Sequence, residues 1–467
     1  MPFVILPTNS ASGGYEITNS LRFNSGSSDN LSRTPSVTGN TKTWTFSCWV
    51  KRANLSSNQV LLGARPSGSD PSVTIRFNTD DTLLFQKTGG SSSTQNLTTS
   101  QLFRDVSAWY HILIVCDVTQ ATSTNRVKVY VNGQQVTSFS SSGYPNQNED
   151  LVINNSSYPH FISLNNGFGQ YFNGYMSEVY LIDGQALTPS SFGETDSDTG
   201  IWKPKAFSGS YGTNGFYLQF KNSAALGTDS SGNGNTWTVN NLTSVDQSTD
   251  TPTNNFCTMN PLNNKSTSGS GTLTEGNLQV SYSGGQFQTN ATMAVNTGKW
   301  FWETKGVSNM QQGTIGARIG FLVQDNTGYI NQYFEGGAIF GMWWHPTVGI
   351  YTTVGATQTL RSSTLTYTDG DIIGIALDLT NNISYWYKNG TLTYTYDFSA
   401  LITIGSYFMC ASLGNGSGSA SPVYQSNFGS PPYSANSYTD GAGYGNFSYA
   451  VPSGYYSLNT KNLANFG

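Results

Sequence analysis

Between Asp369 and Gly390 the chain reads DGDIIGIALDLTNNISYWYKNG, and this stretch narrows the possible folds more than any other. Ile373, Ile375, Leu377 and Leu379 alternate onto one face of a strand, and Ile383, Tyr385 and Tyr387 onto one face of the next. A period of two cannot be buried by a helix. Asn381-Asn382 between the two runs and Asn389-Gly390 after them are turn signals, so the segment predicts a β-meander. A fainter copy lies upstream, where HILIVCDV (His111 to Val118) leads through a polar turn into VKVYVNG (Val127 to Gly133). Two copies of one device predict two sandwiches.

At 467 residues the chain has room for two or three domains. Only 10% of it is Asp, Glu, Lys or Arg, against about 25% in ordinary soluble proteins. Its polar surface must therefore come from Ser, Thr, Asn, Gln and Gly, a surface suited to neutral partners. The 21 basic and 26 acidic residues give a net charge of −5 without runs of either sign, which argues against nucleic acid as a ligand. Aromatic content of 13%, 51 glycines and no helical periodicity sustained over three turns predict an all-β protein. No apolar run approaches the roughly 18 residues of a membrane span, so a soluble chain without membrane insertion is expected. Phe3 to Leu6, framed by Pro2 and Pro7, is too short for a secretory signal. Cys48, Cys116, Cys257 and Cys410 are scattered, which predicts buried, reduced thiols.

Residues 1–14 read as an arm, in which Phe3, Val4, Ile5 and Leu6 form either a frayed tail or an edge strand added to a neighbouring protein. From Tyr15 short strands follow one another: LRFN (Leu21 to Asn24), TWTFSCWVKR (Thr43 to Arg52), VTIRFN (Val73 to Asn78) and TLLFQK (Thr82 to Lys87). Then come AWYHILIVCDV, RVKVYVNGQQV and YFNGYMSEVYLIDGQAL, the last turning at Asp183-Gly184. In this order, from Tyr15 to Phe192, the motifs resemble a laminin G-like, concanavalin A-type jelly roll. YGTNGFYLQF (Tyr211 to Phe220) and DSSGNGNTW (Asp229 to Trp237) resemble the opening strand and turn of the same family, and are expected to fold back on that sandwich. The first domain is thus placed at residues 15–262.

Asn263 to Thr272, NNKSTSGSGT, reads as a flexible linker. Beyond it, residues 273–429 restart the strand pattern with NLQVSYS, GKWFWETKG, ARIGFLVQD, GMWWHPTVGIY, the meander, YFMCASLG and VYQSNFG. The strand with Trp300, Trp302 and Glu303, the GDIIGIALD and YWYKNG strands and the closing NFG resemble a SPRY domain. A Gly-, Ser- and Tyr-rich segment, 430–467, ends the chain. Its YAVPSGYYSLNTKNL, and the two sandwiches in this order joined by STDTPTNNFCTMNPL (Ser248 to Leu262), resemble virion proteins of tailed bacteriophages. That resemblance implies a multi-copy protein of the virion surface, assembled in the host cytoplasm with other phage structural proteins and released by lysis. Burial of Phe3, Val4, Ile5 and Leu6 against a partner protein would outweigh the cost of ordering a short arm, so these residues are the expected attachment to the particle.

Glycoside hydrolysis needs two carboxylates flanking the scissile bond, and no strand here carries such a pair. Glu178, alone in YMSEVYLID, reads as a residue that positions a turn. His111, His160 and His345 lie outside any nucleophile context. A non-enzymatic protein without cofactor is expected, with calcium considered at ETDSDTG (Glu194 to Gly200) but poorly matched to a Ca²⁺ loop. For sugar binding, an exposed ring among amides and hydroxyls is required. The candidates are Tyr329, Tyr333 and Phe334 in an insertion, with Trp343 and Trp344 after it. Alternation should bury one of the two tryptophans and expose the other unless a neighbouring domain covers it. The expected function is host adsorption through weak binding of surface glycans, as part of a tail fibre or appendage. The alternatives are structural decoration or connection in the phage head or tail and, more remotely, glycan degradation.

Overall fold

Alternating strands bury one face only by packing in layers, and the chain does this twice. The computed structural model describes residues 14–66, 70–89, 94–266, 269–311, 317–324, 338–355, 357–402, 407–416 and 421–467. Ala11–Thr253 and Asn254–Gly467 form two compact units, each built from antiparallel strands. The only α-helix among the described residues is Thr460–Phe466, and no helix there is long and apolar enough to cross a membrane.

In the first unit two eight-stranded sheets face each other. One is centred on Thr43–Arg52, between Trp109–Asp117 and Gly174–Asp183. Ser20–Phe23 and Phe216–Leu218 share the far edge of Gly174–Asp183. The other runs in the order Phe139–Ser142, Gln95–Leu102, Thr82–Thr88, Ser72–Phe77, Gln59–Ala64, His160–Ile162, Asn30–Arg33 and Thr238–Asn240. Trp44, Phe46, Cys48 and Val50 meet Val73, Ile75, Leu83 and Phe85 in the core between them. Thr43–Arg52 is buried on both faces, because Phe192, Tyr217 and the segment around Phe207 and Tyr211 lie over the outer side of its sheet. Tyr211 to Trp237 belongs to this unit: Trp237 enters the core, its ring edge-on to Phe216 at 4.8 Å.

The second unit is one fourteen-stranded sheet curled over on itself. Gln279–Ala291 passes between the layers. Its start pairs with Val423–Asn427, and its remainder, after an irregularity between Gly284 and Gln286, with Tyr407–Gly416. The faces meet through Phe321, 5.9 Å from Trp386 and 6.4 Å from Trp302. The meander forms as expected: Ile372–Asp378 pairs with Ile383–Lys388, which pairs with Thr391–Asp397.

The linker expectation does not hold. Asn263 to Thr272 contributes to the strands Met259–Ser266 and Gly269–Thr274, both paired with Gln279–Ala291, and the division between units falls at Thr253/Asn254. A peripheral hairpin is held by backbone hydrogen bonds and needs no apolar side chains, so its composition imitates a linker. The C-terminal segment is structural too. Tyr456–Ser457 adds to Lys299–Ser308, and the buried Glu303 carboxylate accepts the backbone N–H groups of Ser448 and Tyr449, both at 3.0 Å. All four cysteines are buried, none of them in a disulfide.

Candidate functional site

Of the predicted sugar platform, Tyr329, Tyr333 and Phe334 lie outside the described residues, as do Phe3, Val4, Ile5 and Leu6 of the arm. Trp343 and Trp344 are both buried, a correction to the expectation that one is exposed. Alternation does send them to opposite faces of Ala338–His345. Trp344 enters the core edge-on to Tyr367 at 5.8 Å. Trp343 stacks parallel on Tyr351 at 4.3 Å, beneath the Arg318 guanidinium at 4.5 Å and beside Leu322 and Met409. Period two tells which face a ring takes, but not what else lies on that face.

The acidic string around Asp196 serves a turn. Its carboxylate accepts the N–H of Thr199 at 2.9 Å, the Thr199 hydroxyl at 2.9 Å and the Lys203 ammonium at 3.1 Å. Hydrogen bonds from Thr199 and then Lys203 hold its pKa down to about 2. Among the described residues no group of three His, Cys, Asp or Glu side chains is placed to hold a metal ion.

Two buried constellations invite a catalytic reading and fail it. Ser47 Oγ lies 2.8 Å from His111 Nε2, but Trp202 Nε1–H donates to His111 Nδ1 at 3.1 Å. Because indole N–H only donates, the imidazole proton sits on Nε2 and points at the serine, so this tautomer cannot take the serine proton. The imidazole also lies between Trp49 and Trp202, with centroids at 5.0 and 5.9 Å, and is fully buried. Glu178 sits at a β-bulge with φ of +50°. It accepts hydroxyls from Tyr15 at 3.0 Å, Tyr180 at 2.6 Å and Tyr217 at 2.6 Å. Burial pushes its pKa up, opposed by those three hydrogen bonds. At 4% exposure it presents nothing to a substrate.

An accessible ring stands elsewhere. Phe168 is 58% exposed, at the tip of the hairpin that pairs Leu164–Asn165 with Gln170–Tyr171. Gly167 and Gly169 flank it with φ of +85° and +59°, a conformation that glycine reaches without strain. The hairpin lies directly on the Gln59–Ala64 strand, since a Cβ at Gly63 would meet Leu164 O at 2.6 Å. The Arg65 guanidinium covers one side of the ring at 4.5 Å and donates to Asn165 Oδ1 at 3.2 Å. Gln170 Oε1 accepts from Asn165 Nδ2 at 3.2 Å and from Arg76 Nη1 at 3.1 Å. Arg76 projects from the side of Ser72–Phe77 opposite the core, and Thr74 on that side registers with Gln86, which registers with Asn96. The result is an exposed ring packed on a buried guanidinium, with the half-buried Arg76, Gln86, Asn96 and Gln170 on the outer side of the same sheet. A pyranose offers the matching chemistry: a C–H face for the ring and hydroxyls for the amides. Sequence reasoning did not name Phe168, although an aromatic between two glycines at a turn tip has nowhere to be buried.

Residues 25–191 match the family model described as the concanavalin A-like lectin/glucanases superfamily, within the stretch where the sequence motifs carry the laminin G-like resemblance. No curated protein matches the chain. Among solved structures, mouse laminin α1 domains LG4-5 are 10% identical, covering 89% of this chain and 90% of that one at a TM-score of 0.31. The SPRY domain of human HERC1 is 14% identical, covering 36% and 96%, at 0.26. A heptameric SAP-like pentraxin of Limulus polyphemus is 15% identical, covering 38% and 80%, at 0.26.

Proposed function

We propose that this chain is a non-catalytic glycan-binding protein of a tailed phage particle, part of a tail fibre or similar appendage, that contributes to host adsorption. The observation that carries the binding is the exposed Phe168 ring beside Arg65, Gln170 and Arg76. The match of residues 25–191 to a lectin and glucanase superfamily supports it, as does a surface that must be polar with only 10% charged residues. The burial of Glu178 and the tautomer that silences Ser47 and His111 support binding without chemistry. The virion setting rests on the sequence resemblance and extends to other phage structural proteins as partners.

Sites of this kind are weak singly, and several copies acting together supply useful adhesion. Binding of a multimerised chain to host cells or a glycan array should fall about tenfold or more with Phe168→Ala, the worth of one stacked ring. Added salt should change it little, because the ligand is neutral. Unchanged binding by Phe168→Ala removes this face as the site. Immunolabelling of intact particles tests the setting: absence of the chain retires the virion reading, and normal adsorption by particles lacking it leaves structural decoration.

A further inference from the structure

We infer that the first sandwich carries a second saccharide subsite, a cleft of about 210 Å³ between Pro71–Val73 and Asp150–Tyr158, that takes a single neutral hexopyranose unit. It rests on the reading that this sandwich binds glycans, but on different residues. The volume is below the roughly 300 Å³ at which sites for larger ligands begin, so one ring fits and a chain does not.

The cleft is built at the ends of strands. Pro71 and Val73 open one strand, Lys87 and Thr88 close its neighbour, and two successive turns carry the opposite wall: Asn155 N–H donates to Val152 O and Tyr158 N–H to Asn155 O, both at 3.2 Å. Pro71 and the half-buried Tyr158 ring supply apolar surface for a sugar's C–H face. Asn155 Oδ1 is held by Ser157 N–H at 2.9 Å. Among the described residues, no protein group bonds Asn155 Nδ2 or the Tyr158 hydroxyl. Asp150 Oδ1 accepts the Thr41 hydroxyl at 2.7 Å and pairs with Lys42 Nζ at 3.6 Å, and the side chain remains 70% exposed with Oδ2 available. A donor amide, a hydroxyl and a carboxylate oxygen around an apolar wall are what vicinal sugar hydroxyls require.

The charges select a neutral ligand. Lys87 and Glu149 form an ion pair at 2.5 Å, each side chain 3% exposed, and Lys42 balances Asp150. The cleft also adjoins the exposed face, since Arg65, whose guanidinium lies on Phe168, donates its backbone N–H to the carbonyl of Pro159, next to Tyr158, at 3.2 Å.

Saturation-transfer NMR on the full chain with the methyl glycosides of glucose, galactose, mannose and N-acetylglucosamine tests the assignment. At least one should bind, and Asn155→Asp/Tyr158→Phe, which keeps the Ser157 turn and the ring, should weaken it about tenfold or more through two lost hydrogen bonds. In a Phe168→Ala background, which removes the exposed face, the monosaccharide signal that remains belongs to the cleft and should still fall about tenfold when the double variant is added. Failure of all four probes, or wild-type affinity in the double variant, overturns the cleft. If only Phe168→Ala removes the signal, the cleft falls and the exposed face stands. Should the double variant not fold, Asp150→Asn at its exposed position gives the same readout, a drop sustaining the cleft and no change overturning it.

Discussion

The first unit should lose stability steeply between pH 6.5 and about 4, because it buries two histidines that fold only as neutral rings. His160 Nε2 accepts the Asn154 backbone N–H at 3.0 Å and its Nδ1 faces Tyr158 O at 2.8 Å, so the single proton lies on Nδ1. His111 is fixed the other way round, with Trp202 donating to Nδ1. A second proton on either ring would meet another N–H head-on. Burial lowers the pKa of His111 to about 3 and, with Arg33 nearby, that of His160 to about 4. The unfolded chain therefore takes up protons below about pH 6.5 that the fold refuses. Stability is complete above that pH and falls as pH drops toward the folded values, by about 1.4 kcal/mol per pH unit for each ring. From pH 6.5 to 4.5 the two together cost about 5 kcal/mol, comparable with the whole stability of many domains. Glu178, whose pKa is raised, has the opposite sign and offsets part of this. Urea unfolding followed by tryptophan fluorescence at several pH values reads the slope. His160→Gln keeps an acceptor for Asn154 and cannot titrate, so its slope should be about half as steep even though its neutral-pH stability is lower. Equal slopes in the two proteins would refute the assignment.

Glu178→Ala should destabilise the first unit by about 3 kcal/mol or more at neutral pH, the cost of orphaning buried hydroxyls. Tyr15 and Tyr217, 2.7 Å apart, can still bond each other, but Tyr180 loses its acceptor in a site only 2% exposed. Glu178→Gln keeps one acceptor oxygen and should cost about 1 kcal/mol. The backbone supplies an internal control. At φ of +50° a Cβ is strained, so Glu178→Gly should be about 1 kcal/mol more stable than Glu178→Ala, reversing the usual penalty for glycine in a strand. Thermal melts of the three variants decide it, and an alanine variant as stable as wild type would mean that the carboxylate is not the hub of this cluster.

Much of the fold was legible. The alternation of Ile373, Ile375 and Leu377 produced the strand it predicts, all three side chains buried. The motifs from Tyr15 to Phe192 enclose the residues that match the superfamily. The candidate site was not legible. Trp343 drew attention as a large aromatic near an insertion, whereas Phe168 in NNGFG was not named. Exposure depends on what covers a residue, and Tyr351, Arg318 and Met409 reach Trp343 from other strands.

What the sequence determined by itself is local: strand periodicity, turn positions and a surface poor in charge, each a property of neighbouring residues and of composition. What the tertiary structure alone decided is which polar groups go inside. Lys51 meets Asp250 at 2.8 Å across a separation of 199 residues. His111 meets Trp202 across 91, and Tyr15 meets Glu178 across 163. A polar side chain is buried only where a partner replaces its water, and partners so distant along the chain become neighbours only once the sheets have formed. The same holds for the Asn263 to Thr272 hairpin. Its partners are backbone groups of Gln279–Ala291, which carry no side-chain signature that could be read in advance.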